Sequence, residues 1–103
     1  MELTEITIRD LIENKYLDPG TQLFLDNFEK GDYSCKISAD SKLEVSYNRT
    51  IKKWDYPSGA AKSLLGMSVN GWIRWYFLND KIEKVYLSDL RLLFYEGINK
   101  KGS

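Results

Sequence analysis

The first apolar residues of the 103-residue chain recur at the spacing of an α-helix. Ile8, Leu11 and Ile12 fall on one face of a 3.6-residue period. The stretch TIRD at their start resembles a capping box with Thr7 as the N-cap. This pattern predicts a short amphipathic helix that begins after Thr7 and ends near Tyr16.

Alternation of apolar and polar residues replaces this period after the turn signal DPGT. Tyr33–Ala39 and Leu43–Tyr47 alternate cleanly, while Gln22–Asn27 and Ile51–Trp54 resemble strands by composition. The breaks EKGD and ADSK between these runs are typical of hairpin turns. We therefore expect an antiparallel meander.

Helical signals return at the PSG stretch. Ser58 is the predicted N-cap of a helix through Leu65, and the glycine that follows supplies a left-handed stop. Ser88 is the predicted cap of a last helix, which runs through Tyr95 and ends at Gly97. These signals place two helices in the second half of the chain.

The stretch WIRWYFL lies between these helices and follows an Asn-Gly turn signal, so it is predicted to be a strand with Ile82–Leu87 as its partner. Side chains alternate between the two faces of a strand. The apolar set belongs in the core: Ile73, Trp75 and Phe77. The other set faces either a ligand or a second small apolar cluster: Trp72, Arg74 and Tyr76.

Together these elements predict an α+β fold, with an antiparallel sheet of about four to six strands and about three short helices. One domain should span residues 1–103, with its core over 7–95 and a tail over 96–103. No apolar run is long enough for a membrane span, and the charged N-terminus does not resemble a secretory signal, so we expect a cytoplasmic protein. The single cysteine, Cys35, is expected to be a buried apolar residue.

The composition argues against catalysis. The chain has no histidine, which removes the commonest general base and the commonest metal ligand. It also lacks a nucleophile elbow, a phosphate-binding glycine loop and a cysteine-based zinc motif. We therefore expect neither an enzyme nor a bound cofactor or metal.

Charge is unevenly distributed, although the net charge is zero. Residues 36–78 carry seven basic and three acidic residues, and aromatic residues are interleaved with them. Such a segment is typical of nucleic-acid binding, because cations neutralise phosphates and aromatic rings stack on bases. The candidate cations of this segment are Arg49, Lys52, Lys53, Lys62 and Arg74.

Other candidates accompany these cations. Ser58 at a helix start could hold a phosphate oxygen, and Tyr56 and Trp72 are candidates for contact with a base. Asn70 could pair with adenine or simply shape the turn. Arg91 could reach the ligand or bond the loop that carries Trp72.

Several motifs resemble the restriction-enzyme adenine-methylase-associated (RAMA) domain family. They are YPSGAA at 56–61, Gly66, NGW at 70–72, Trp75, LSDLR at 87–91, and upstream Leu11-Ile12 and LDPGTQL at 17–23. The resemblance extends from about Thr7 to Arg91. Tyr56 departs from the family pattern, in which a small residue such as serine is common at this position. Gly59 departs where a small polar residue or alanine is more typical.

The resemblance implies a non-catalytic accessory module that binds DNA, with duplex carrying N6-methyladenine as one ligand. It also implies association with restriction, methylation or other DNA-processing proteins or domains. The alternative is a protein-interaction module in which Trp72 anchors a partner within a restriction or defence assembly, since tryptophan is common at such hot spots.

Overall fold

The computed structural model describes residues 2–26, 33–47 and 49–101. Six strands form one antiparallel sheet in the order β4-β3-β2-β1-β5-β6. The strands are β1 (Gln22–Leu25), β2 (Ser34–Ile37), β3 (Leu43–Tyr47), β4 (Thr50–Trp54), β5 (Trp75–Leu78) and β6 (Lys84–Tyr86).

Consecutive pairing of β1 to β4 confirms the predicted meander, and β5 with β6 extends the sheet from the other side of β1. The predicted turn EKGD lies outside the described residues. Ala39 is exposed in the next turn rather than part of β2.

Three helices complete the α+β fold: α1 (Ile8–Glu13), α2 (Pro57–Leu65) and α3 (Leu87–Lys101). Short 3-10 helices occupy Leu3–Glu5 and Gly71–Ile73. Among the described residues, no helix is long and apolar enough to cross a bilayer.

The start of α1 was predicted correctly. The hydroxyl of Thr7 accepts the backbone N–H of Asp10, whose carboxylate accepts the N–H of Thr7. This reciprocal pair satisfies amides that lack partners in the first helical turn. Gly66, with φ +73°, ends α2 in the predicted left-handed conformation.

The two predicted serine caps are wrong. Helix α2 begins at Pro57, so Tyr56 occupies the cap position and Ser58 lies within the first turn. Proline is well suited to this position because its missing N–H would have no helical partner. Helix α3 begins at Leu87, and the Asp89 carboxylate accepts the N–H of Tyr86.

The predicted stop at Gly97 is also wrong, because α3 continues past this residue to Lys101. A Cβ added at Gly97 would lie 3.2 Å from the Tyr16 hydroxyl. The glycine therefore makes room for Tyr16, whose ring also meets that of Phe94 edge-on. This long-range contact is invisible in the local sequence.

One hydrophobic core lies between the helices and one face of the sheet. The buried residues of the strands point to this face: Leu23, Leu25, Cys35, Ile37, Leu43, Val45 and Trp75. All three helices add buried residues to the same cluster. Burial raises the pKa of the Cys35 thiol well above its usual value, in keeping with the predicted apolar role.

Candidate functional site

The start of α2 packs directly against Gly71. The Gly71 N–H donates to the Ser58 Oγ at 2.9 Å. A Cβ added at Gly71 would lie 2.2 Å from the Pro57 carbonyl, far inside contact distance. Only glycine fits here without moving the backbone, so the PS and NG motifs form the two sides of one contact.

Trp75 fixes the same junction from the core. Its indole N–H donates to the Pro57 carbonyl at 3.0 Å, and its side chain is completely buried. The hydrogen bond satisfies the single polar atom of a large apolar ring. The predicted core position of Trp75 is therefore confirmed.

The turn before β5 contradicts the predicted strand. The Asn70 Oδ1 accepts the Trp72 N–H at 3.1 Å and starts the 3-10 helix Gly71–Ile73. The alternation expected from Trp72 onward therefore begins only at Trp75. Trp72 is buried, with 8% of its surface exposed, whereas Ile73, expected in the core, is 56% exposed.

Arg91 lies over the buried ring of Trp72. Its guanidinium carbon is 3.9 Å from the ring centroid, a cation–π contact. The same guanidinium donates to the carbonyls of Thr4 (2.9 Å) and Ile6 (3.0 Å). Of the two roles considered for Arg91, these contacts favour support of the turn that carries Trp72 over contact with a ligand. Burial lowers the pKa of the Arg91 guanidinium.

These contacts define a motif junction consisting of Pro57, Ser58, Gly71, Trp72, Trp75 and Arg91. The junction joins α2, the 3-10 turn, β5, α3 and the N-terminal segment. The Ser58 hydroxyl, the Trp75 indole N–H and the Arg91 guanidinium are hydrogen-bonded within the protein, and the amide oxygen of the neighbouring Asn70 accepts the Trp72 N–H. Its physical role is to fix the fold.

Arg74 follows the turn and is half-buried. Its carbonyl accepts the Asp26 N–H at 2.8 Å, which attaches β5 to the end of β1. Its Nε is buried and has no hydrogen-bond partner among the described residues. The structure thus supports neither a fully solvent-facing Arg74 nor its grouping with the exposed lysines.

Lys52 and Lys53 point to opposite faces of the edge strand β4. Val45, which is buried, pairs with Lys52, whereas Glu44 pairs with Lys53. The Lys53 ammonium is also 3.3 Å from the Asp40 carboxylate. A hydrogen bond from Ser38 and the nearby Lys53 lower the pKa of Asp40.

We call the remaining cations, Arg49, Lys52 and Lys62, the basic edge, because the first two are on or next to the edge strand β4 and α2 packs over the end of that strand. Arg49 is in the β3–β4 turn and Lys52 is on β4, on the same side as Trp54. Trp54 packs under α2, since a Cβ at Gly59 would be 3.1 Å from its ring.

Lys62 is three residues beyond Gly59, on the same side of α2. All three side chains of the basic edge are exposed. None of them forms an ion pair with another described residue.

Tyr56 is the most exposed aromatic residue of the motif segment. It precedes α2 in an extended conformation, with 66% of its surface exposed. It borders a shallow depression of about 300 Å³, shared with Arg9, Lys42 and Asp55. Lys42 and Asp55 pair at 3.5 Å, so this depression is not strongly charged.

Within ranges 2–26, 33–47 and 49–101, no three acidic or cysteine residues cluster closely enough to hold a metal ion. The chain matches no protein-family model, and no curated protein is significantly similar to it in sequence. The resemblance to the RAMA family stays a prediction that rests on the motifs quoted above.

Sequence reasoning missed a row of aromatic residues on the open face of the sheet. Phe24, Tyr76 and Tyr86 are directly paired on β1, β5 and β6. Alternation within each strand could have placed them on one face, but only the order β1-β5-β6 brings them side by side.

Proposed function

We propose that this protein is a non-catalytic DNA-binding accessory module whose basic edge contacts the phosphates of duplex DNA. The observation that carries the proposal is that Arg49, Lys52 and Lys62 are all exposed and have no ion-pair partners among the described residues. Cations that are not already paired release condensed counterions from DNA most effectively, because no internal contact must be broken first.

The exposed Tyr56 is the best placed aromatic residue of the motif segment for a contact with a base or sugar. Tyr56 takes the place of Trp72 as the candidate for this contact, because Arg91 covers the ring of Trp72. The resemblance to RAMA domains supports N6-methyladenine duplex as the preferred ligand and association with restriction or methylation proteins. The non-catalytic assignment rests on the absence of histidine and of catalytic motifs from the sequence.

The alternative function, protein interaction anchored by Trp72, is not supported, because Trp72 is buried. An interaction hot spot must present its ring to the partner, and Trp72 is buried within the motif junction. We therefore retain DNA binding as the single proposed function.

Salt dependence of duplex binding tests the basic edge. In wild type, affinity should fall steeply as salt rises, and each phosphate contact contributes about 0.9 to the logarithmic slope. The triple variant Arg49→Ala/Lys52→Ala/Lys62→Ala should bind more weakly with a slope lower by roughly 2.7. Fluorescence anisotropy with a labelled duplex measures both quantities.

Lys81→Ala is the matched control, because Lys81 is an exposed lysine in the β5–β6 turn, away from the basic edge. It should bind duplex as wild type does. An unchanged slope in the triple variant, or no duplex binding at low salt, would contradict the proposal.

A second comparison tests the ligand that the resemblance implies. Matched duplexes with and without N6-methyladenine are titrated with wild type and with Tyr56→Ala. Tighter binding of the methylated duplex, lost in Tyr56→Ala, is the expected result. Equal binding of both duplexes reduces the function to general DNA binding.

A further inference from the structure

One face of the sheet lies opposite the helices, and we call it the outer face. It carries the three paired aromatic residues: Phe24, Tyr76 and Tyr86. The ring centroids of Phe24 and Tyr76 are 5.8 Å apart, and those of Tyr76 and Tyr86 are 5.5 Å apart. Each ring is only partly buried, so together they form a continuous aromatic row.

Uncharged residues extend this row toward β4. Ser34 pairs with Phe24, and further along the sheet Ser46 pairs with Ile51, whose side chain is 64% exposed. A trough of about 520 Å³ lies along this half of the face, lined by Ser34, Ser46 and Ile51 and, beside them, by Gln22, Lys36 and Glu44. The row is thus uncharged from one edge of the sheet to the other.

A second row, two residues further along the strands, is basic. Lys36, Lys53 and Lys84 are exposed in it, with Glu44 as its one acidic member. Positions two residues apart on a strand are separated by roughly 6.8 Å. An uncharged aromatic row therefore runs beside a row that carries a net positive charge.

Two acidic groups near these rows, Asp40 and Asp26, are already engaged. Asp40 binds Lys53 at 3.3 Å, and Asp26 accepts the Tyr86 hydroxyl at 2.5 Å. The bond from Tyr86 raises the pKa of its phenol to about 12, so the ring is uncharged at neutral pH.

We propose that the outer face binds a short single-stranded nucleic acid, with bases stacked on the aromatic row and phosphates beside the lysine row. Stacking on aromatic rings needs unpaired bases, which a duplex does not offer. The side-by-side arrangement of uncharged rings and lysines complements a strand that is apolar along its bases and anionic along its backbone. The site is separate from the basic edge.

The Lys84 ammonium has one position in the free protein, over the Tyr76 ring, and another in the proposed complex, beside a phosphate. Its ammonium lies 4.8 Å from the centroid of the Tyr76 ring. A base that stacks on Tyr76 takes the place of this cation–π contact, and the ammonium then pairs with the adjacent phosphate. Binding therefore exchanges one favourable contact of Lys84 for a stronger one, because phosphate carries a full charge.

The test uses the full chain and labelled oligothymidine of about ten nucleotides, within the range of sites known for single-strand binding domains. Fluorescence anisotropy is measured for wild type, Phe24→Leu and Tyr76→Leu, with oligouridine as a parallel arm to separate DNA from RNA. Leucine preserves apolar packing but removes the ring. Each variant should bind about tenfold or more weakly.

Leu93→Ala is the control, because Leu93 is an exposed apolar residue on α3 rather than on the sheet. It should bind as wild type does. Unchanged binding in both leucine variants overturns the inference, as does a wild type that binds neither oligonucleotide at low salt. If a leucine variant does not fold, NMR decides in wild type: the ring signals of Phe24, Tyr76 and Tyr86 must shift when oligothymidine is added.

The outcome is separable from the proposed function. Failure of the basic edge appears as duplex binding that the triple lysine and arginine variant does not change. Failure of the outer face appears as oligothymidine binding that loss of the rings does not change. An acidic peptide that binds this face while the oligonucleotides do not also contradicts the inference.

Discussion

The motif junction and the basic edge lie in the same segment of the chain, yet they differ in almost every physical property. The junction is mostly buried, and its Ser58 hydroxyl, Trp75 indole and Arg91 guanidinium are hydrogen-bonded within the protein. The basic edge is exposed, and among the described residues it forms no ion pairs. The junction residues of the quoted motifs thus pack inside the fold, while less distinctive neighbours in the same segment keep their charges exposed to solvent.

Removal of the Trp72 ring from the motif junction should have the largest effect on the free energy of unfolding. Trp72→Ala deletes a buried aromatic side chain together with its contact to Arg91. We expect a loss of about 3–5 kcal/mol in the free energy of unfolding, measured by urea denaturation. Leu93→Ala, at an exposed position, should change it by less than about 0.5 kcal/mol. A stable Trp72→Ala protein that had lost only DNA binding would return Trp72 to the ligand site.

Alanine substitution at the two serines that the sequence predicted as caps should lower the free energy of unfolding by different amounts. Ser58→Ala leaves the Gly71 N–H without its acceptor, and we expect a loss of about 1–3 kcal/mol. Ser88→Ala alters a residue inside the first turn of α3 and should cost less than about 0.5 kcal/mol. Equal losses in the two variants would mean that the junction contact does not distinguish them.

A smaller effect concerns the outer face. The Asp26 carboxylate raises the pKa of Tyr86 to about 12 in the folded protein, above the ordinary value of 10.0. The folded state therefore holds this proton more tightly than the unfolded state does. The stabilisation is complete below about pH 10 and is lost as the pH rises to about 12. Tyr86→Phe should remove this part of the pH dependence.

Urea denaturation at several pH values between 9 and 12 measures this effect. The difference in unfolding free energy between wild type and Tyr86→Phe should shrink across that range. A constant difference would show that the hydroxyl of Tyr86 does not respond to Asp26.

Much of the fold follows from local signals. The Thr7 capping box, the strand Leu43–Tyr47 and the left-handed Gly66 each depend on neighbours within a few residues, and each was predicted correctly. The incorrect predictions occur where contacts between residues far apart in the sequence accompany the local structure. The turn at Trp72 packs Gly71 against Pro57, and α3 continues past Gly97, where the missing Cβ leaves room for Tyr16.

The candidate site shows the same division. The sequence identified the basic segment, but burial of Arg74 and ion pairing of Lys53 decided which of its cations remain available. Lys52 and Lys53 are adjacent and chemically identical, yet only Lys53 pairs with Asp40. Side chains alternate between the two faces of β4, and Asp40 of the ADSK turn is within reach of the face that carries Lys53. Such distinctions depend on strand register, which the composition of the segment does not contain.

Duplex titration followed by two-dimensional NMR distinguishes the basic edge from the motif junction, since the three tryptophan indole signals report on Trp54, Trp72 and Trp75 separately. If the basic edge binds DNA and the motif junction only braces the fold, backbone signals at 49–53 and at Lys62 should shift most. The indole signals of Trp72 and Trp75 should stay in place. A dominant shift of the Trp72 indole, with the signals of the basic edge unchanged, would contradict the account.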